Sequence, residues 1–223
     1  YDRRLISEGG GVYPRNAKDI HVSPELRKWL GIRYKTLDGA TLIRYLLGAP
    51  VELLWLGGIG TYVKASSEKN EEVGDRSNDE VRIDAAQLRA RVVGEGANLG
   101  FTQKARIEYA LAGGRINTDA IDNSAGVDTS DHEVNLKILL TDLKRKLLLD
   151  DYQRVFTEMT QEVCESVLAN NYRQSLCLSL EKLRCGTTVE TFLQLAERLE
   201  NAGVLDRAVE SFPGAKEVTA RGE

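Results

Sequence analysis

The stretch Arg91–Asn135, RVVGEGANLGFTQKARIEYALAGGRINTDAIDNSAGVDTSDHEVN, alternates between short apolar runs and polar, glycine-bearing turns. Val92 and Val93 open it as a strand, which breaks into Gly94-Glu95-Gly96-Ala97-Asn98, where glycine permits tight turning and close approach of a ligand to the backbone. Thr102 is placed to cap a helix, TQKARIEYALA, whose apolar positions Ala105, Ile107, Ala110 and Leu111 give it a stripe. Gly113-Gly114 ends that helix. A second strand is expected over Ile116–Ile121, followed by the turn Asp122-Asn123-Ser124-Ala125-Gly126. Strand, turn, helix, strand, turn is a βαβ unit of a parallel sheet.

Both turns are expected at the carboxyl ends of their strands, the edge where open α/β sheets hold ligands. Between them and the start of the next helix stand Glu95, Asn98, Asn123, Ser124, Thr129 and Ser130. Amides and hydroxyls suit an unreacting polar ligand part such as a ribose or a carboxamide. The same residue types also make ordinary turns, and the residues alone leave both readings open.

Glu95-Gly96-Ala97-Asn98 followed by Thr102 resembles the E-G-A-N-x-P-T-T loop of glutamate dehydrogenases. Asn123-Ser124-Ala125-Gly126-Val127, with Ser130 and Glu133, is similar to that family's N-A-G-G-V-x-x-S-x-x-E stretch, in the same order and at matching spacing. The flanking YDRRLISEGGGVYPR and NEEVGDRSND look closer still to the large bacterial NAD-specific members. The likeness is strong from Tyr1 to about Leu140 and weakens over the C-terminal helices.

The resemblance implies an α/β fold: a partial Rossmann-like parallel sheet over 1–130, then a helical C-terminal region over 131–223. It implies NAD as cofactor and L-glutamate as substrate, with oxidative deamination to 2-oxoglutarate and ammonium. Asn98 and Asn123 would hold the nicotinamide ribose or carboxamide, Gly96 and Ala97 would admit the cofactor to the backbone, and Ser130 would bind the substrate's side-chain carboxylate. Gly57 and Gly58 follow the apolar run Val51–Leu56 and would pass beside the adenosine half; the family usually has proline and alanines there, so only backbone contact carries over. No G-x-G-x-x-G turn opens a helix anywhere in the chain, and the catalytic lysines and aspartate of the family have no counterpart here. No catalytic residue is therefore assigned. The chain reads as the C-terminal part of a dehydrogenase region, cut from a longer protein of which the rest is its first partner; alone it is expected to be inactive. A homo-oligomer is expected of the parent enzyme.

Elsewhere, Ser23-Pro24-Glu25 marks one helix start and Asp38 another, with Trp29, Leu30, Leu42, Ile43 and Leu46 expected to face the sheet. Val63–Asp84 is polar and acidic and reads as an exposed, partly mobile excursion. From Asp131 onward, helical spacing of Val134, Ile138, Leu139, Leu143 and Leu147, then Val155 to Val167, then Leu176, Leu180 and Leu183, then a segment from Thr188, predicts four helices with a frayed tail from Gly214. A net charge of −4 with no basic run argues against nucleic acid or a membrane surface. Cys164, Cys177 and Cys185 have no metal-ligand spacing and suit reduced thiols in the cytoplasm, expected as buried packing. His21 and His132 are isolated and carry no assignment. Two other classes fit less of the sequence. A helical assembly or regulatory module without ligand contact would use the C-terminal helices, and a methyltransferase would need an acid after a first strand, which is not seen.

Overall fold

The computed structural model describes residues 2–58, 60–96, 98–144, 149–185 and 189–221. The chain divides into two compact units, Tyr1–Asp119 and Ala120–Glu223.

The first unit opens with β1 (Ile20–His21), α1 (Pro24–Leu30), β2 (Thr36–Leu37) and α2 (Gly39–Leu47). Both helix starts follow from local chemistry. The Ser23 hydroxyl accepts from the Leu26 amide at 3.1 Å, and the Asp38 carboxylate accepts from the Thr41 amide at 2.8 Å. Gly31, at φ 72°, closes α1. β1 and β2 pair antiparallel, and Ile20, Val22, Leu30, Leu37, Leu42 and Ala49 bury together beneath them. Trp29 and Leu46, expected to face the sheet, are exposed instead: α1 buries Leu30 and α2 buries Leu42 in this small cluster, while Leu47 and Ile43 of α2 pack into the larger core of the sheet.

Next come β3 (Leu53–Leu56), β4 (Val63–Lys64), α3 (Asn70–Val73), β5 (Ile83–Asp84), β6 (Val92–Glu95), α4 (Gln103–Leu111) and β7 (Arg115–Ile116). β3, β6 and β7 form a parallel sheet with β6 in the middle, Leu53 opposite Val92 and Val92 opposite Arg115. One face carries Leu56, Val93 and Ile116 into a core with Val63, Val81, Ile83, Phe101, Ala105 and Tyr109. The other face leaves Leu53 55% and Trp55 59% exposed, so β3 is buried on one side only.

Three further expectations fail in this unit, in whole or in part. Ile116–Ile121 is not a strand: β7 ends at Ile116, and α5 (Asp119–Asp122) follows, because the Asp119 carboxylate is drawn to the Leu99 amide and the Arg106 guanidinium. Val63–Asp84 is only partly an exposed excursion: Ser66, Ser67, Glu71, Glu72, Arg76 and Ser77 are exposed, but its two ends are not. β4 and β5 pair in parallel, and Val63, Ala65, Val81 and Ile83 are buried; its polar groups satisfy one another around Arg82. The buried side of α4 is Ala105, Arg106 and Tyr109, whereas Ala110 and Leu111 face solvent, since an ion pair pulls Arg106 inward.

The second unit is helical: α6 (Ser124–Lys144), α7 (Leu149–Cys185), α8 (Val189–Asn201) and α9 (Ala215–Arg221). α6 begins at Ser124 rather than at Asp131. α7 is one 37-residue helix where two were expected, since Asn170 and Asn171 serve as cross-helix hydrogen-bonding groups instead of breaks. Asn170 donates to Asp128 at 2.9 Å, and Ser124 donates to Asn171 at 2.8 Å. Leu140, Val167 and Ala196 are buried, while Ile138, Leu139, Leu176, Leu180 and Leu183 are exposed. The three cysteines, expected to be buried, are exposed on α7, whose buried side runs through Val167 instead. The tail expected to fray forms α9. Leu147 and Thr188 lie outside the described residues. Among the described residues no helix is long and apolar enough to cross a membrane.

Candidate functional site

β3 and β6 run side by side in the same direction, with Leu56 opposite Glu95. Gly57-Gly58 and Gly96 therefore leave neighbouring strands at one sheet edge. A Cβ on Gly57 or Gly58 would meet no atom within 4 Å, so this turn lies open. Gly96 differs: a Cβ there would stand 2.6 Å from the indole of Trp55, so part of its need for glycine is to seat that ring. Ala97 lies outside the described residues. Asn98 is exposed in the turn that follows.

That turn is strongly held. Leu99 sits at φ 58°, a left-handed conformation rare for leucine. Its amide donates to the Asp119 carboxylate at 2.8 Å, and its carbonyl accepts from the Thr61 hydroxyl at 2.7 Å. The Gly100 carbonyl accepts from the Tyr62 and Val63 amides, and the Phe101 amide donates to Glu95 at 2.9 Å.

Glu95 is fully buried, and Arg106 approaches it with Nε at 2.6 Å and Nη2 at 3.1 Å. Burial pushes the Glu95 carboxyl up, and Arg106 opposes that shift. Glu95 is thus spent inside the protein and is not a ligand group. Sequence reasoning missed Arg106 and Asp119. The available signal was an acid ending an apolar strand with an arginine on the buried stripe of the next helix.

In the second unit, Asn123 is half-buried and directly precedes α6, with its carbonyl accepting from the Gly126 amide. A short helix separates it from β7, so it does not leave a strand end as expected. Ser130 is exposed within α6, and its hydroxyl donates to the Val127 carbonyl at 2.8 Å. It is not at a helix entrance, and the macrodipole therefore adds little there, since that effect fades beyond the first turn. Thr129 likewise donates to the Ala125 carbonyl. His132 pairs with Asp128 at 3.5 Å.

In the segment read as solvated, the Arg82 side chain is fully buried. It donates to the Thr61 carbonyl at 2.9 Å, to Asn70 at 3.1 Å, and to the Asp79 carboxylate and the Asp75 carbonyl. Asp75 accepts from the Asn78 amide, the Ser77 hydroxyl and the Thr61 N–H, and these hydrogen bonds hold its carboxyl at about 2. Asp75, Asn78, Asp79 and Arg82 therefore brace the core beside Thr61.

The description "Bacterial NAD-glutamate dehydrogenase, catalytic domain" belongs to the family model that matches residues 1–181. The chain belongs to this family. NAD-specific glutamate dehydrogenases of Halomonas elongata and Pseudomonas aeruginosa are each 48% identical to it over 223 residues. The enzyme of that name from Mycobacterium tuberculosis is 46% identical over 231 residues. These alignments cover 99–100% of the chain and only 14% of each relative. This member of the bacterial NAD-glutamate dehydrogenase family thus spans about one seventh of the length of these relatives.

Proposed function

We propose that the chain supplies the far half of a Rossmann-like dinucleotide site, within 1–130, and a helical region, 131–223, to an NAD-dependent glutamate dehydrogenase. The parent reaction is L-glutamate, NAD⁺ and water giving 2-oxoglutarate, ammonium, NADH and a proton. The observation that carries the reading is the shared edge of β3 and β6, from which the Gly57-Gly58 and Gly96–Asn98 turns both emerge. The open space at Gly57 and Gly58 fits a ligand lying against backbone. NAD, when bound, supplies the hydride acceptor. Gly57 and Gly58 pass beside its adenosine half; Gly96, Ala97, Asn98 and Asn123 meet its nicotinamide half; the Ser130 hydroxyl takes the substrate's distal carboxylate. The proton-moving groups come from the remainder of the polypeptide, in a cytoplasmic homo-oligomer.

Kinetics of the intact enzyme test this. Asn98→Ala or Asn123→Ala should raise the KM for NAD about two- to tenfold, the worth of one neutral hydrogen bond. Ser130→Ala should raise the KM for glutamate more than that for NAD. Equal effects on both substrates, or none, would refute the assignments. The exposed apolar residues of α6 and α7 favour a second reading, an assembly module. It predicts that all three variants keep both KM values while substitutions at Ile138 and Leu139 change the oligomer.

A further inference from the structure

The Asn98 turn is held in a conformation that its own residues do not favour. Leu99 adopts φ 58° although the residue is 62% exposed, so burial does not fix it there. The turn's carbonyls are held by the Thr61 hydroxyl and the Tyr62 and Val63 amides, and its amides are held by a chain of charges. Arg106 reaches Glu95 with Nε and Nη2, Asp119 with Nη2 at 3.2 Å, and Gln103 with Nη1 at 2.9 Å. Each carboxylate then turns its remaining accepting capacity to the loop: Asp119 to the Leu99 amide, Glu95 to the Phe101 amide. One buried guanidinium thereby fixes two backbone amides on either side of Gly100.

We propose that Arg106 and Asp119 are positioning residues, which through the Glu95–Arg106–Asp119 clamp hold the Asn98–Phe101 turn in its ligand-binding shape before any ligand arrives. The proposal rests on the nucleotide reading of that turn. Its physical content is preorganisation: a turn already ordered does not lose conformational freedom on binding, and affinity rises accordingly. Neither residue needs to touch the ligand. Arginine suits the task because its planar fork serves both carboxylates at once, which a lysine ammonium does not.

Amide hydrogen exchange in this chain, read residue by residue by NMR, tests the clamp. In Asp119→Ala the Leu99 amide should exchange about tenfold faster, while the amides of Val93 in β6 and Tyr109 in α4 keep their rates. Asp119→Asn, which retains an acceptor for Leu99 but loses the ion pair, should show a smaller change. Arg106→Lys should loosen Leu99 and Phe101 together. In the intact enzyme, Asp119→Ala should raise the KM for NAD about tenfold and leave kcat within about twofold. An unchanged Leu99 rate overturns the clamp, as does parallel acceleration of every amide in the first unit, which marks a residue of general stability only. Faster Leu99 exchange with an unchanged KM for NAD overturns the positioning role. Asn98→Ala then identifies the fault: if it raises that KM, only the clamp's role has failed, and if it is silent too, the nucleotide reading has failed.

Discussion

Asp75 accepts hydrogen bonds from two side chains and one backbone amide, and its carboxyl is held at about 2 in the folded protein. In the unfolded chain an aspartate titrates near 3.9, so the unfolded state takes up the proton first as pH falls. The stability Asp75 contributes is therefore complete above pH of about 4 and is lost as pH drops toward 2. Urea unfolding midpoints measured between pH 5 and pH 2 should fall less steeply in Asp75→Asn than in the wild type. Gly39 makes a second prediction. It opens α2, and a Cβ on it would lie 2.1 Å from the Arg15 carbonyl oxygen, an atom of the backbone that cannot swing aside. Gly39→Ala should cost about 1–3 kcal/mol in chemical denaturation, as overpacking does. Gly58→Ala, where the space is open, should cost much less.

α4 is best understood through Tyr109 rather than through the apolar stripe its sequence suggests. The Tyr109 hydroxyl donates to the Ala90 carbonyl at 2.7 Å in the core, and Gly114 leaves room for its ring. Tyr109→Phe strands that buried carbonyl and should lower stability by about 1–3 kcal/mol, measured by thermal or urea unfolding. The elements legible in the sequence were those fixed locally. Ser23, Asp38 and Thr102 cap the helices they precede, and Gly31 and Gly113 close theirs at positive φ. Elements fixed by distant partners were not legible. Arg82 buries because the Thr61 carbonyl and the Asn70 side chain, both distant in sequence, meet it together with nearby Asp79, so polarity there did not mean exposure. Asp119 turns the chain away from β7 because Arg106 and Leu99 hold it. Of the candidate site, the pairing of the Gly57-Gly58 and Gly96 turns followed from the apolar runs before them. The helical placement of Ser130 did not, because Ser124 finds its partner, Asn171, only across a helix pair.

At the scale of the molecule, the second unit keeps much apolar surface uncovered, including Leu183 at 77% and Ile138 at 67% exposure. Apolar side chains left uncovered in this number favour association with a partner. The isolated chain should therefore self-associate at raised concentration, seen by light scattering, and should bind an apolar fluorescent dye; a strictly monomeric, dye-silent chain would contradict this. The same chain, given glutamate and NAD, should produce no reduced cofactor by absorbance, because it contains no pyrophosphate-binding turn of the G-x-G-x-x-G kind. Turnover at the level of an intact dehydrogenase would refute that expectation.

The parallel pairing of β3 with β6 also sets a timetable for synthesis. Leu53 must wait for Val92, which a ribosome adding 5–20 residues per second delivers roughly forty residues, or about 2–8 s, later. Through that interval Leu53-Leu54-Trp55-Leu56 is a newly made apolar strand with its partner still unwritten, an edge open to wrong pairing until Val92 emerges.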